Sequence, residues 1–293
     1  MTRPSSAGGG ESCPAGILEI PLWPERPPGR IQEGSMEVAD REPDGLLRVR
    51  NVHEPTLTFY PARPEAVSRG TIVICPGGAY GLLSMEHEGS LMASRFNAAG
   101  WNAFVLKYRM APYRHPIPLM DAQQAMRRVR GLASEWDLDP ERVGILGFSA
   151  GGHLAATVLT RGDRPVPVPG LGTLAGGHAD FGLLGYPVIS LVGPAAHIGS
   201  AQNLLGANPD RSLCEDLSAD RQVTARTPPT FLFHARDDVG VPPENSFLFS
   251  DALRRAGVST EVFLLDTGGH GFGLRRDEWV DPCLRWLNSV LRA

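Results

Sequence analysis

The chain has 293 residues, 42% hydrophobic and 20% charged, with 28 basic and 32 acidic side chains that leave a formal net charge of -4. That balance fits a globular protein with a sizeable core, in one large α/β domain or two ordinary ones, and it excludes the one-signed charge surplus of a nucleic-acid binder. No apolar run approaches the roughly 20 residues that would span a bilayer, so no membrane partner is expected and small ligands fit better.

The amino terminus, MTRPSSAGGGESCPAG, carries a basic residue but no apolar segment behind it. It reads as a disordered leader over residues 1–18 rather than a signal peptide, ahead of a single domain over residues 19–293. A proline-rich arm, LWPERPPG, leads in. The first β-rich runs are Thr56 to Tyr60 and Thr71 to Cys75, the second ending in Pro76-Gly77-Gly78-Ala79. Small residues there let backbone N–H groups approach a substrate oxygen closely. Glu86-His87-Glu88-Gly89 follows. Adjacent helix positions do not face one another and no H-x-x-x-H spacing exists, so this reads as a helix start at a pocket rim, with Glu86 and His87 in reach of substrate, and not as a metal site.

After a strand at Trp101 to Tyr108, Leu119, Ala122, Met126, Val129, Ala133 and Trp136 fall 3 or 4 residues apart, one apolar stripe of a long helix whose function is core packing. The strand Arg142 to Phe148 then meets a helix-forming run, His153 to Leu159, through Gly147-Phe148-Ser149-Ala150-Gly151. Glycine weakens the interior of either element, so its clustering marks a sharp strand-to-helix turn with Ser149 at the apex. A glycine-rich turn with an idle serine has the same five residues. Arg161 to His178 is a Pro/Gly loop long enough to be functional or mobile, and whether it forms a lid is open. Strands at Phe181 to Val188, Thr230 to His234 and Glu261 to Leu265 follow, and a C-terminal helix carries Trp279, Cys283, Trp286 and Val290 on one stripe. Alternating strands and helices predict a mostly parallel central sheet with helices on both faces, without an internal repeat. The four cysteines lie far apart with no C-x-x-C spacing, which indicates neither a zinc site nor a disulfide framework and suits a reducing, cytoplasmic setting.

A serine nucleophile needs a base, a group to orient it, and oxyanion donors at the carboxyl ends of the strands. In the α/β-hydrolase order the acid and then the histidine follow the serine. Of eight histidines six precede residue 200, His234 lies inside a strand run, and His270 in DTGGHGFG follows the last strand. His270 is therefore the candidate base. Asp237 and Asp238 both follow the strand ending at His234, with Asp266 in reserve, and residue type alone does not separate them. Gly78, Ala79 and Ala150 are the natural oxyanion donors. His153, on the helix descending from Ser149, is expected to be a hydrogen-bonded structural histidine.

From about Leu22 to Leu274 the chain resembles the α/β-hydrolases, and more narrowly the bacterial esterases that include bifunctional feruloyl and acetyl xylan esterases. The likeness is carried by PLWPERPPG, VICPGGAYGLLSMEHEG, AFVLKYRMAP, GILGFSAGGHLAA, GYPVISL, PPTFLFHARDDVGVPPENS and GGHGFG. It implies an α/β-hydrolase fold with Ser149 as nucleophile, His270 as base and Gly78 with Ala79 as oxyanion donors. HARDDVGVP resembles the hydrolase pattern H-G-x-x-D-x-x-V-P, whose register puts the acid at Asp238. Ala79 stands where relatives often have a third glycine, which keeps an N–H but narrows the space above it.

The expected function is hydrolysis of short acyl, chiefly acetyl, esters of carbohydrates such as xylo-oligosaccharides. A general carboxylesterase or aryl formamidase is the alternative, and a non-catalytic ligand-binding module on the same fold is the alternative from another class. A serine peptidase is disfavoured because peptidases of this fold usually carry an additional large domain. Relatives acting on polymeric xylan are commonly exported, so the apparent lack of an export signal favours oligosaccharides or a small ester. No cofactor or metal is required by this chemistry, and the oligomeric state is left open.

Overall fold

A computed structural model describes residues 16–31, 35–63, 69–162, 164 and 166–291. The strands in chain order are β1 (Leu18–Pro21), β2 (Val38–Arg41), β3 (Leu47–Arg50), β4 (Thr56–Tyr60), β5 (Thr71–Cys75), β6 (Asn102–Lys107), β7 (Val143–Phe148), β8 (Pro167–Val168), β9 (Gly172–Thr173), β10 (Gly182–Gly185), β11 (Thr230–Ala235) and β12 (Thr260–Leu265). Eight of them form one sheet in the order β1-β4-β6-β5-β7-β10-β11-β12. Pairing is antiparallel from β1 to β4 and β4 to β6 and parallel across the rest. Most of the leader expected over residues 1–18, and Cys13 with it, lies outside the described residues. Leu18 already belongs to β1, paired with Phe59.

Among the described residues the α-helices are α1 (Leu91–Asn97), α2 (Ile117–Trp136), α3 (Ser149–Arg161), α4 (Ile198–Leu205), α5 (Arg211–Asp216), α6 (Glu244–Arg255) and α7 (Val280–Val290). Strand β5 explains how the layers divide. Its side chains alternate faces: Val73 and Cys75 join the core with Met126 and Val129 of α2, Leu154 and Val158 of α3 and Phe249 of α6. Ile72 and Ile74 join the opposite core, with Phe96 of α1 and Trp279, Cys283 and Trp286 beside and within α7. Both stripes read from the sequence are therefore packing faces, and the sheet is covered on both sides. The proline-rich arm is packed as well, with Leu22 and Trp23 buried and Trp23 Nε1 donating to Asp121 Oδ1 at 2.9 Å.

Two expectations change. The strand Phe181 to Val188 is only Gly182–Gly185, because Tyr186 turns into the left-handed region at φ 36° and Pro187 has no N–H for the ladder. The loop Arg161 to His178 folds back as the β8–β9 hairpin and binds α2: Arg127 donates to the Leu174 carbonyl at 3.0 Å and Arg130 to that of His178 at 2.6 Å. Asp180 N then bonds the carbonyl of Val143, the first residue of β7. Ser149 follows the last residue of β7, so this loop sits at the opposite end of the sheet and is no lid. A different hairpin overhangs the serine. β2 pairs with β3, and Val49 exchanges backbone bonds of 3.0 and 2.8 Å with Leu83 beyond the β5 turn.

Candidate active site

Ser149 is the first residue of α3 and sits at φ 51°, while Phe148 before it is extended. A non-glycine residue in that region costs of order 1–3 kcal/mol and persists only where its neighbours leave no other choice. The neighbours here are glycines for a steric reason. A Cβ on Gly147 would lie 2.2 Å from the Gly151 carbonyl oxygen, and one on Gly151 would lie 2.2 Å from that of Cys75. Only hydrogen fits either place, so the strand can turn straight into the helix and lift Ser149 over the end of β7.

The loop after β12 brings His270 Nε2 to 2.9 Å from Ser149 Oγ. On its other side His270 Nδ1 lies 2.7 Å from Asp238 Oδ2, on the loop after β11. An ionised carboxylate only accepts, so Nδ1 holds the ring proton and Nε2 is left to accept from the serine hydroxyl. Asp238 is itself fully engaged. Its Oδ1 accepts from the Gly240 and Val241 amides, both at 2.9 Å, and Oδ2 accepts a second bond from His234 Nε2 at 3.2 Å. Burial alone pushes the Asp238 carboxyl up, but the bonds from His234 and His270 outweigh it and hold the group well below the usual carboxylate range. The other two carboxylates are elsewhere: Asp237 accepts from Gly268 and Gly269 amides at 2.9 and 2.8 Å, and exposed Asp266 pairs with Arg236 at 3.3 Å.

Facing the serine, Gly78, Ala79 and Tyr80 run through positive φ of 133°, 54° and 57°. Three bonds hold this loop. Gly77 N donates to buried Glu88 Oε2 at 2.7 Å, Asn203 of α4 donates to the Ala79 carbonyl at 2.8 Å, and Tyr80 Oη lies 2.8 Å from His153 Nδ1. His153 in turn donates from Nε2 to the Leu217 carbonyl at 2.9 Å, so it is a saturated structural group, and burial lowers its pKa to about 4. The Gly78 and Ala79 amides donate to no acceptor among the described residues. Ala150 N–H lies in the first turn of α3, where helix amides have no intrahelical acceptor. The three expected donors thus flank Ser149 with their N–H groups uncommitted.

Ser149, His270, Gly78 and Ala79 line one cavity of about 410 Å³, together with Asp44, Leu46 and Arg48 of the β2–β3 hairpin. His87 lines it and bonds the Gly271 carbonyl at 2.8 Å, beside His270. Glu86 does not. It accepts from Arg41 at 2.6 Å and from Leu47 N at 3.0 Å, anchoring the hairpin, because the residue next to His87 on a helical turn points elsewhere. The expectation that Glu86 contacts substrate is therefore corrected to a hairpin anchor. The segment itself is a π-helical turn, Glu86–Ser90, leading into α1. Among the described residues no group of three or more His, Cys, Asp or Glu is arranged to hold a metal ion. No helix of the described residues is long and apolar enough to cross a membrane.

Sequence reasoning missed several supporting residues. His234, four residues before Asp238, stands in the H-x-x-x-D pattern, and that spacing is the signal for its role. Glu88, adjacent to His87 in the chain, also accepts from Tyr186 Oη at 2.7 Å. Tyr186 lays its ring edge-on to His270, centroids 5.2 Å apart. Nothing local signals Tyr186 or Asn203.

Comparison with known proteins adds relatives to this geometry. The BD-FAE family profile matches residues 57–165 and that of the prolyl oligopeptidase family matches residues 188–293. The chain is 35% identical over 236 residues to an acetylxylan esterase of Xylanibacter ruminicola, covering 78% of this chain and 47% of that protein. It is 36% identical over 219 residues to endo-1,4-beta-xylanase B of Butyrivibrio fibrisolvens, covering 73% of this chain and 34% of that one. The chain thus spans only a third to a half of the length of these curated relatives. A crystal structure of an acetyl ester-xyloside bifunctional hydrolase from Caldicellulosiruptor lactoaceticus superposes with a TM-score of 0.78 at 39% identity, covering 93% of this chain and 96% of that one.

Proposed function

The chain belongs to the α/β-hydrolase esterases, and we propose that it hydrolyses short-chain acyl esters, chiefly acetyl, of carbohydrates such as xylo-oligosaccharides through an acyl-serine intermediate. The observation that carries this reading is the hydrogen-bonded run Ser149, His270, Asp238 facing uncommitted amides at Gly78, Ala79 and Ala150. His270 Nε2 takes the hydroxyl proton as Ser149 Oγ attacks the ester carbon, and the three amides receive the negative charge that develops on the carbonyl oxygen. The imidazolium, stabilised by Asp238, then gives its proton to the leaving alcohol oxygen. Water repeats the sequence against the acyl-serine: its proton goes to His270, the tetrahedral centre collapses, and Ser149 recovers a proton as the carboxylic acid leaves. Support for the sugar alcohol comes from relatives named for acetylxylan and acetyl ester-xyloside hydrolysis. We assign the protein to the cytoplasm, since Cys75, Cys214 and Cys283 are separate buried thiols and suit a reducing compartment.

The test is a chain-length series. With Ala79 where relatives often have a third glycine, narrowing the space above the oxyanion loop as the resemblance implies, kcat/KM falls from p-nitrophenyl acetate to butyrate to octanoate, and acetylated xylo-oligosaccharides release acetate. Each methylene accepted by an apolar pocket is worth about 1–3 kcal/mol, so a site shaped for long chains would reverse that order plainly. An octanoate preference removes the short-acyl reading. Good acetate ester cleavage without any sugar-ester turnover hands the function to the general carboxylesterase. Dialysis against a chelator leaves the rate unchanged, because no step in this sequence uses a metal; a loss restored by zinc or manganese would overturn that mechanism.

A further inference from the structure

Two imidazoles in the catalytic cavity take no part in this chemistry, His87, whose Nε2 is already bonded to the Gly271 carbonyl, and His197. His197 precedes α4, lines the same cavity as Ser149 and His270, and is half-buried. Its Nδ1 accepts the Ser200 backbone N–H at 3.1 Å as the cap of α4 and lies 2.8 Å from the Ser200 hydroxyl, which is itself buried. A ring nitrogen that accepts a backbone N–H carries its lone pair there, so the proton of the neutral ring resides on Nε2. The helix cap therefore fixes the tautomer. Nε2–H has no acceptor among the described residues. Burial and then the neighbouring His270 push the ring below its ordinary pKa, in keeping with a neutral donor.

We infer that His197 Nε2–H is a specificity donor for the alcohol half of the ester, reading a hydroxyl on the carbon next to the one that bears the ester oxygen. The inference rests on the esterase reading and names the alcohol it prefers. The leaving oxygen must lie at His270 Nε2, which returns its proton, so a donor lining the same cavity as Ser149 and His270 is placed to meet the alcohol half. Sugars and other polyols offer a vicinal hydroxyl there. Simple alkyl alcohols offer none, and their esters leave Nε2–H without a partner once water is excluded, which is the arrangement that discriminates best against a missing hydroxyl.

Two acetyl esters test this, glycerol 1-acetate, which has the vicinal hydroxyl, and propyl acetate, which lacks it. One neutral hydrogen bond is worth a factor of about five to ten, so the unaltered protein favours the glycerol ester by that ratio in kcat/KM. The variant His197→Asn keeps a good helix cap but has no group at the position of Nε2. It is expected to bring the two esters within twofold of each other, the glycerol ester losing its bond and propyl acetate no longer stranding a donor. The unaltered protein gives a second reading free of folding concerns: with p-nitrophenyl acetate as donor, the acyl-enzyme transfers acetate to glycerol in preference to 1-propanol. No preference in the unaltered protein, a preference that survives His197→Asn, or an equal fall on both esters overturns the inference, the last meaning that His197 merely supports α4 and, through Asn203, the oxyanion loop. A preference for the glycerol ester with no release of acetate from xylo-oligosaccharides sinks the xylan reading and leaves His197 its role. If no ester is hydrolysed at all, both fall.

Discussion

Ser149→Ala leaves a folded protein whose kcat/KM on p-nitrophenyl acetate is down by about 10⁴- to 10⁶-fold, the loss that follows removal of a triad nucleophile. The fold tolerates the change because the constraint at residue 149 is on the backbone. Its φ of 51° is imposed by the turn from β7 into α3 and by the closeness of the Gly147 and Gly151 backbones, and alanine meets that constraint as serine does. Among the described residues the hydroxyl has one bond to lose, that to His270 Nε2 at 2.9 Å. Thermal unfolding within a few degrees of the parent, together with residual catalysis from the oxyanion amides alone, is the full expectation. Labelling of any other serine by an organophosphate, or retention of a tenth of the activity, would remove Ser149 from the mechanism.

Asp238→Asn lowers kcat by up to about 10⁴-fold, and the reason is a matter of hydrogen-bond polarity. The Gly240 and Val241 amides, each 2.9 Å from Oδ1, will hold the asparagine carbonyl where Oδ1 stands. That turns the amide NH2 toward His270 Nδ1 and His234 Nε2, where two N–H groups were accepted before. His270 must then accept on Nδ1 and carry its proton on Nε2, which is the tautomer that cannot take the serine proton. His234 keeps its second acceptor, the Val241 carbonyl at 2.9 Å, so it does not force the fold apart. The variant also changes acid stability. A carboxyl held below its unfolded value of about 3.9 contributes stability above that pH and loses it as pH falls toward the folded-state value, so Asp238→Asn flattens the acid side of the stability curve. Asp237→Asn is the control: its carbonyl still accepts from Gly268 and Gly269, and kcat stays within tenfold. A reversal of that order, measured as kcat with Tm alongside, would give the role to Asp237.

Much of the site was legible in the chain because it depends on what adjacent residues can physically do. A strand cannot turn straight into a helix past a Cβ at residue 147 or 151, so the need for glycine is written into the five residues around Ser149. That all three groups lie at strand carboxyl ends follows from the open parallel sheet, and their chain order from the resemblance to the α/β-hydrolases. The stripes of α2 and α7 follow from helical period alone, and both are core faces. Where residue type was ambiguous the local signal ended. Asp237 and Asp238 are chemically alike, and the resemblance to a pattern, rather than any property of the pair, favoured the second.

Tertiary structure decided what depends on distance between remote segments. Ser149 meets His270 across 121 residues and His270 meets Asp238 across 32, and no periodicity encodes either separation. The same holds for the supports. Glu88 reaches Gly77 and Tyr186, and Asn203 reaches Ala79 from a helix 124 residues away, so their roles exist only once the ends of β5 and β10, on either side of β7, and α4 come together. Glu86 and His87 part company for a local reason with a remote outcome, one side chain tying down the β2–β3 hairpin and the other entering the cavity. The loop Arg161 to His178, suggestive by length, is excluded from the site because α3 carries the chain to the far end of the sheet before the loop begins. Sequence pattern sets which local conformations are affordable, through sterics and the burial of one face. Which side chains then share a proton or a charge is set by where the strand ends converge, a property of the closed sheet and of no single segment.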